Sequence, residues 1–163
     1  MKTLIIGLGN PILGDDGVGW VVAEQVGKTL ADRRSSTADQ PSIEVDCASL
    51  GGLSLMERLT DSERVILVDA IFTGKQPAGT VSQFTLNELP NLGAGHSASA
   101  HDTSLHNALQ IGRGMDILLP TDENVVIVAI EADRVYDFSQ ELSPAVAASV
   151  PIAVKTVFDL LSV

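Results

Sequence analysis

The sequence predicts an α/β protein of five strands, mostly parallel, with helices on both faces of the sheet. Three observations carry this. Short apolar runs of strand length alternate with helical patterns along the whole chain, the arrangement that builds helix-covered parallel sheets. The first run, Thr3-Leu4-Ile5-Ile6, passes directly into Gly7-Leu8-Gly9-Asn10-Pro11, a buried strand ending in a tight turn. The connection between the third and fourth runs is only about nine residues, rich in Gly and Pro. A parallel crossover needs a dozen or more residues. Strand 4 should therefore run antiparallel to strand 3 or sit at an edge.

The elements follow in order. Strand 1 covers residues 2–7. A helix over residues 17–30 has Trp20, Val21, Ala23, Val26 and Leu30 on an apolar face. Residues 31–41 are polar and read as an exposed loop. Strand 2 is Ile43-Glu44-Val45-Asp46-Cys47. Gly51-Gly52 opens a short helix to residue 59. Strand 3, Arg64-Val65-Ile66-Leu67-Val68-Asp69-Ala70, is the strongest apolar run. Strand 4 covers residues 79–86. A small-residue loop spans 91–100, and a helix starts near Asp102 or Thr103, either of which can cap it. Strand 5 is Val125-Val126-Ile127-Val128-Ala129-Ile130. A last helix begins at Ser143-Pro144, a cap and first-turn pair, and reaches residue 161, with Pro151 expected to kink it or mark its true start. With 163 residues and no linker or internal repeat, the chain reads as a single domain, residues 1–163.

Composition narrows the function. The net charge of −11 argues against nucleic acid or an anionic membrane surface as partner, because those need clustered Lys and Arg. One cysteine, Cys47, excludes an internal disulfide and a cysteine-rich zinc site. The apolar start is too short for a signal peptide, and no apolar run of membrane-spanning length is seen. A cytoplasmic protein is expected.

The chemistry gathers at strand ends. Gly14-Asp15-Asp16-Gly17 places two carboxylates between glycines just after strand 1. Asp46 closes strand 2, Asp69 closes strand 3 and Glu131 closes strand 5. Carboxyl ends of parallel strands share one edge, where α/β proteins bind ligands. A single acid there is commonly a turn cap. Asp16, Asp46, Asp69 and Glu131 gathered in one crevice repel one another unless a cation or donors compensate. His101, between Ala100 and Asp102, is the best imidazole candidate, with His96 and His106 as alternatives. Taken alone it is equally a helix-entry histidine bonded to backbone. Two carboxylates and an imidazole with open positions suit a borderline divalent ion such as nickel, zinc, manganese or iron.

Other chemistries fit less well. Gly7-x-Gly9 begins a dinucleotide fingerprint, but Ile12 stands where a third glycine is wanted, and the acids oppose a pyrophosphate. There is no Gly-x-Ser-x-Gly elbow and no His-Glu-x-x-His helix. Cys47 beside Asp46 reads as a packing residue, since a neighbouring carboxylate disfavours the thiolate.

Gly7-Leu8-Gly9-Asn10 with Leu13-Gly14-Asp15-Asp16-Gly17-Val18-Gly19 resembles the signature of the nickel–iron hydrogenase maturation endopeptidases. Val68-Asp69-Ala70-Ile71 followed by Pro77-Ala78-Gly79-Thr80 resembles that family's second acidic segment. Ser99-Ala100-His101-Asp102 resembles its histidine segment, and Val128-Ala129-Ile130-Glu131 with Leu142-Ser143-Pro144-Ala145-Val146 its C-terminal one. The resemblance covers nearly the whole chain. It implies a three-layer α/β/α sandwich around a five-stranded mixed sheet with one antiparallel strand. It also implies an endopeptidase that removes a C-terminal extension from the large-subunit precursor of a hydrogenase after nickel insertion. By position it gives Asp16, Asp69 and His101 as the metal-sensing set. Asp16 and Asp69 are the candidate catalytic carboxylates, as bases, ligands or recognition groups, and the strand-end acids Asp46 and Glu131 are secondary candidates. The family often has Glu where this chain has Asp16, a difference of one methylene in reach. The nickel arrives with the substrate, so the isolated protein should carry no tightly bound metal, and a monomer is expected.

Two alternatives remain open at this stage. Peptidyl-tRNA hydrolases also begin with a strand and Gly-Leu-Gly-Asn-Pro, but they need a histidine soon afterwards, where this chain has Asp15 and Asp16. The other is a nonenzymatic metal- or peptide-binding chaperone of the same fold. The protease reading requires strands 1 and 3 to be neighbours, so that Asp16 and Asp69 can face one cleft.

Overall fold

The computed structural model describes residues 2–33, 42–88, 100–133 and 138–162, and over residues 100–104 the backbone path only. Five strands, β1 (Lys2–Leu8), β2 (Ser42–Ala48), β3 (Arg64–Ile71), β4 (Val81–Thr85) and β5 (Val125–Glu131), form one sheet in the order β2-β1-β3-β5-β4. The β1–β2, β1–β3 and β3–β5 pairs are parallel, whereas β4 is antiparallel to β5 at the edge. Strand 4 thus has the direction and edge position its short connection requires. Its partner is β5, which enters the sheet between β3 and β4.

Among the described residues, four α-helices cover the sheet: α1 (Val18–Arg33), α2 (Gly52–Arg58), α3 (Ala100–Gly114) and α4 (Pro144–Leu161). Side chains on a strand alternate between faces, and both faces here are buried, which explains the near-continuous apolar strands. In β1, Ile5 packs with Val22 and Val26 of α1 and Val150 and Val157 of α4. Leu4, Ile6 and Leu8 point the other way, onto Leu55 of α2 and Leu105 and Leu109 of α3. The result is the three-layer α/β/α sandwich that was expected.

The chain leaves β1 for β2 on one side and then crosses back to β3 on the other, so the crossovers diverge between β1 and β3. That is a topological switch point, and it opens a crevice at the carboxyl ends of these two strands. The start of α1 is pressed against them. A Cβ on Gly19 would lie 2.3 Å from the Val68 carbonyl oxygen and 2.4 Å from that of Leu8. Only glycine lets the helix come this close.

Several boundaries differ from the sequence reading. Residues 31–33, expected in a loop, extend α1, because Arg33 places its guanidinium 4.6 Å from the ring centre of Phe158. The rest of that polar segment, 34–41, and most of the small-residue loop, 91–99, lie outside the described residues. Helix α3 begins at Ala100, so Asp102 and Thr103 are inside it and do not cap it. Helix α4 starts at Pro144 and runs through Pro151 without a break. This helix is long and apolar enough, by length and composition alone, to cross a membrane, with mean hydropathy 1.5 over 18 residues. Its Val146, Val150, Ala153 and Val157 nevertheless lie in the same core as α1, as in a core helix.

Candidate functional site

The turn after β1 builds the first half of the site. Gly9 has φ +126°, and a Cβ there would lie 1.8 Å from the Asp16 carbonyl oxygen. The turn can therefore fold back on itself only with glycine at this position. Asn10 holds the next step, its side-chain oxygen accepting from the Ile12 N–H at 3.2 Å. Its own backbone N–H donates to Asp16 Oδ2 at 2.9 Å. Asp16 is half-buried, its carboxylate held by the loop that precedes it.

Asp15 is turned elsewhere. Its carboxylate is 3% exposed and accepts two hydrogen bonds from Ser143, from the backbone N–H and from Oγ, each at 2.7 Å. Ser143 immediately precedes α4. Its hydroxyl is spent on Asp15 and makes no capping bond to the helix it introduces. The paired acids thus divide: Asp15 fastens the turn to the C-terminal helix, leaving Asp16 at the crevice. Two backbone bonds add to this fastening, Gly14 N–H to Ser139 O at 2.7 Å and Ser139 N–H to Ile12 O at 2.9 Å.

Asp69 supplies the second carboxylate. It lies opposite Ala129 of β5 and one position beyond the last β1–β3 pair, Gly7 with Val68. It is 2% exposed and shares its face of the sheet with Leu67 and Ile71. Strands β1 and β3 are neighbours, as the protease reading requires, so Asp16 and Asp69 belong to the same edge of adjoining strands at the switch point. His101 is the second residue of α3, and its side chain lies outside the described residues, as does His96. Among the described residues, no three His, Cys, Asp or Glu side chains form a group that could hold a metal ion.

The other acids read onto this rim are differently engaged. Asp46 is the fifth of seven residues in β2, not its last, because the strand continues to Ala48. Its carboxylate forms an ion pair with Arg58 of α2 and accepts from the Cys47 N–H at 2.9 Å. It faces a concavity of about 580 Å³ along β2 and α2, in which Lys2 and Glu44 are also paired, at 3.1 Å. Asp46 therefore serves a surface ion pair and is not joined to Asp16. Glu131 does end β5, 2% exposed, but it reaches the loop after β3: its Oε1 accepts from Thr73 Oγ1 at 2.6 Å and from the Gly74 N–H at 2.9 Å.

His106 is a helix-face residue, its Nδ1 3.2 Å from Asp122, which also pairs with Arg113 at 2.8 Å. Cys47 sits under α1, its Sγ 3.9 Å from the Trp20 carbonyl. Burial, reinforced by Glu24, pushes its thiol above the ordinary range. That disfavours the thiolate a nucleophile needs.

A family model for hydrogenase maturation proteases matches residues 26–160. The chain belongs to the hydrogenase maturation protease family. Among the relatives of this chain, a protein described as a hydrogenase maturation protease from Methanocaldococcus jannaschii is 34% identical over 105 residues. That alignment spans 63% of this chain and 61% of the relative, less than two thirds of its length. The hydrogenase expression/formation protein HupD of Rhizobium leguminosarum bv. viciae is 24% identical, across 98% of this chain and 74% of its own. The fold is that of the hydrogenase maturating endopeptidase HybD from E. coli, with a TM-score of 0.75 and 23% identity over 99% of this chain and 93% of that one. HybD from Thermococcus kodakarensis gives 0.70 and 23% identity, over 98% and 99%. The family model begins within α1, so the Asp16 turn precedes its matched residues, whereas the HupD alignment and the HybD superpositions extend over almost the whole chain.

Sequence reasoning did not find the Asp15–Ser143 lock or the Thr73–Gly74–Glu131 cluster. The lock joins positions 128 residues apart, and nothing local marks which of two adjacent acids makes it. The cluster depends on β5 lying beside β3, a neighbour relation that local pattern does not contain.

Proposed function

We propose that this chain is an endopeptidase that removes a C-terminal extension from the nickel-loaded large-subunit precursor of a nickel–iron hydrogenase. The observation that carries the reading is the pair Asp16 and Asp69, at the carboxyl ends of neighbouring strands at the switch point, in a chain of the maturation protease family. A precursor is the natural partner of such a protease. The reading places the protein in the cytoplasm and as a monomer, with nickel belonging to the substrate.

In this reading Asp16, Asp69 and His101 contact the substrate's nickel, a borderline ion suited to mixed oxygen and nitrogen donors. Recognition of the ion brings the scissile peptide to the crevice. A water adds to the carbonyl carbon while one of the two carboxylates takes its proton. The C–N bond then breaks and the proton passes to the departing amine. The bond from the Asn10 N–H to Asp16 fixes one carboxylate oxygen and leaves the other for the substrate.

The test is processing of purified precursor. The unaltered chain should shorten the nickel-loaded form and leave the nickel-free form intact. Asp16→Asn, Asp69→Asn and His101→Ala should each lower the rate at least about a hundredfold, the usual scale for a general acid–base group. Equal cutting of nickel-free precursor would remove nickel sensing and leave an ordinary carboxylate-assisted peptidase. A folded His101→Ala variant at normal speed would remove His101 from the site. A chaperone of the same fold would leave the precursor at full length.

A further inference from the structure

At the ends of β3 and β5, against the edge strand β4, lies a cavity of about 210 Å³ lined by Ile71, Thr73, Lys75, Ser82, Phe84 and Glu131, among others. Ile71 and Phe84 give it apolar walls, and Glu131 gives it a buried carboxylate. Glu131 is 2% exposed, with Oε1 already engaged by Thr73 and Gly74. Its Oε2 is buried and has no hydrogen-bond partner among the described residues. Lys75 lines the same cavity from an exposed position, and among the described residues no ion pair joins it to Glu131. A buried carboxylate oxygen left without a donor costs its desolvation, so at a cavity it is a ready acceptor for a donor that a ligand brings.

The position says which donor. Asp69 pairs in register with Ala129, and Ile71 with Glu131, so Glu131 stands two residues further along the adjoining strand, on the same face as Asp69. Strands about 4.8 Å apart with a rise of about 3.3 Å per residue put the two Cα atoms about 8 Å apart. In an extended peptide, side chains two residues apart on one face are about 6.6 Å apart. A peptide whose scissile bond lies at Asp69 would therefore present a neighbouring side chain to this cavity.

We propose that the cavity is a specificity subsite that takes a precursor side chain with an apolar stem and a hydrogen-bond-donating head. The stem lies against Ile71 and Phe84 and the head donates to Glu131 Oε2. This rests on the protease reading above. Thr73 and Gly74 act as positioning groups, holding the carboxylate so that Oε2 faces the cavity.

The experiment is a coupling measurement on the nickel-loaded precursor. Each donor-bearing residue close to the bond cut is replaced by Met, and kcat/KM for processing is measured with the unaltered chain and with Glu131→Gln. Gln keeps the oxygen that Thr73 and Gly74 need but presents an NH2 group in place of Oε2. One precursor position should show a loss of about tenfold or more on the unaltered chain, as for a lost hydrogen bond to a charged group. The same replacement should cost less than about twofold on Glu131→Gln, because the partner is already gone. Ser82→Leu, which fills the cavity from β4 and keeps the Glu131 carboxylate itself, should give the same selective loss and covers the case in which Glu131→Gln fails to fold. Normal processing with no position coupled to either variant would overturn the subsite alone. Failure of the unaltered chain to cut nickel-loaded precursor would overturn the protease reading, and the subsite with it.

Discussion

Asp15 and Asp16 are adjacent in sequence, yet one is a fastening and the other faces the crevice, and stability should separate them. Asp15→Ala removes a buried acceptor from two donors of Ser143 and leaves that N–H unpaired. Hydrogen bonds to a charged group contribute about 1.5–3 kcal/mol each, so urea unfolding should show a loss of at least about 2 kcal/mol. Asp16→Asn keeps an oxygen for the Asn10 N–H at a half-buried position and should cost less than about 1 kcal/mol, while abolishing processing. The reverse pattern, a stable Asp15→Ala and an unfolded Asp16→Asn, would exchange the two roles. At this scale the sequence displayed the acids but not their partners. Asp46 looked equivalent to Asp69, each being the acid near the end of a strand. Two further residues of β2 and a guanidinium on α2 give Asp46 a surface ion pair.

At the scale of elements, the start of α1 is pressed against the ends of β1 and β3. Gly19→Ala would set a methyl group 2.3 Å from a main-chain oxygen of β3. Backbone on both sides leaves little room to relax, so the substitution should destabilise by about 3 kcal/mol or more, in the range of severe overpacking, and should disturb the Asp16 turn with it. Calorimetry and processing should fall together. Helix α4 carries the opposite case. Pro151 is exposed inside an unbroken helix, where proline removes a hydrogen bond and crowds the preceding turn. Pro151→Ala should restore that bond to the Ala147 carbonyl and raise Tm by about 2–4 °C for each kcal/mol gained. The element pattern was largely legible: every strand and the last helix stand within a few residues of their sequence-read bounds. The start of α3 was not, because Asp102 and Thr103 are good caps locally, and the helix begins two residues earlier.

Across the whole molecule, the order β2-β1-β3-β5-β4 places β1, β3 and β5 inside and β2 and β4 at the edges. Native-state hydrogen exchange should reflect this. Amides of Ile5, Ile66 and Ile127 should exchange only through global unfolding, while those of β4 should exchange through smaller openings; uniform protection across all five strands would contradict the layered core. The sequence by itself determined the α/β class, both apolar faces of the inner strands and the antiparallel edge position of β4, because hydrophobic period and connection length are local quantities. It also displayed Asp16 and Asp69 within segments that resemble those of the hydrogenase maturation endopeptidases. Only the tertiary structure decided that β5 separates β4 from β3, that Asp15 binds Ser143, and that Glu131 turns to Thr73 and a cavity while Asp46 turns to Arg58. Each of these is a contact between segments far apart in the chain, chosen by packing and by the need of buried polar groups for partners. No local pattern encodes such a choice.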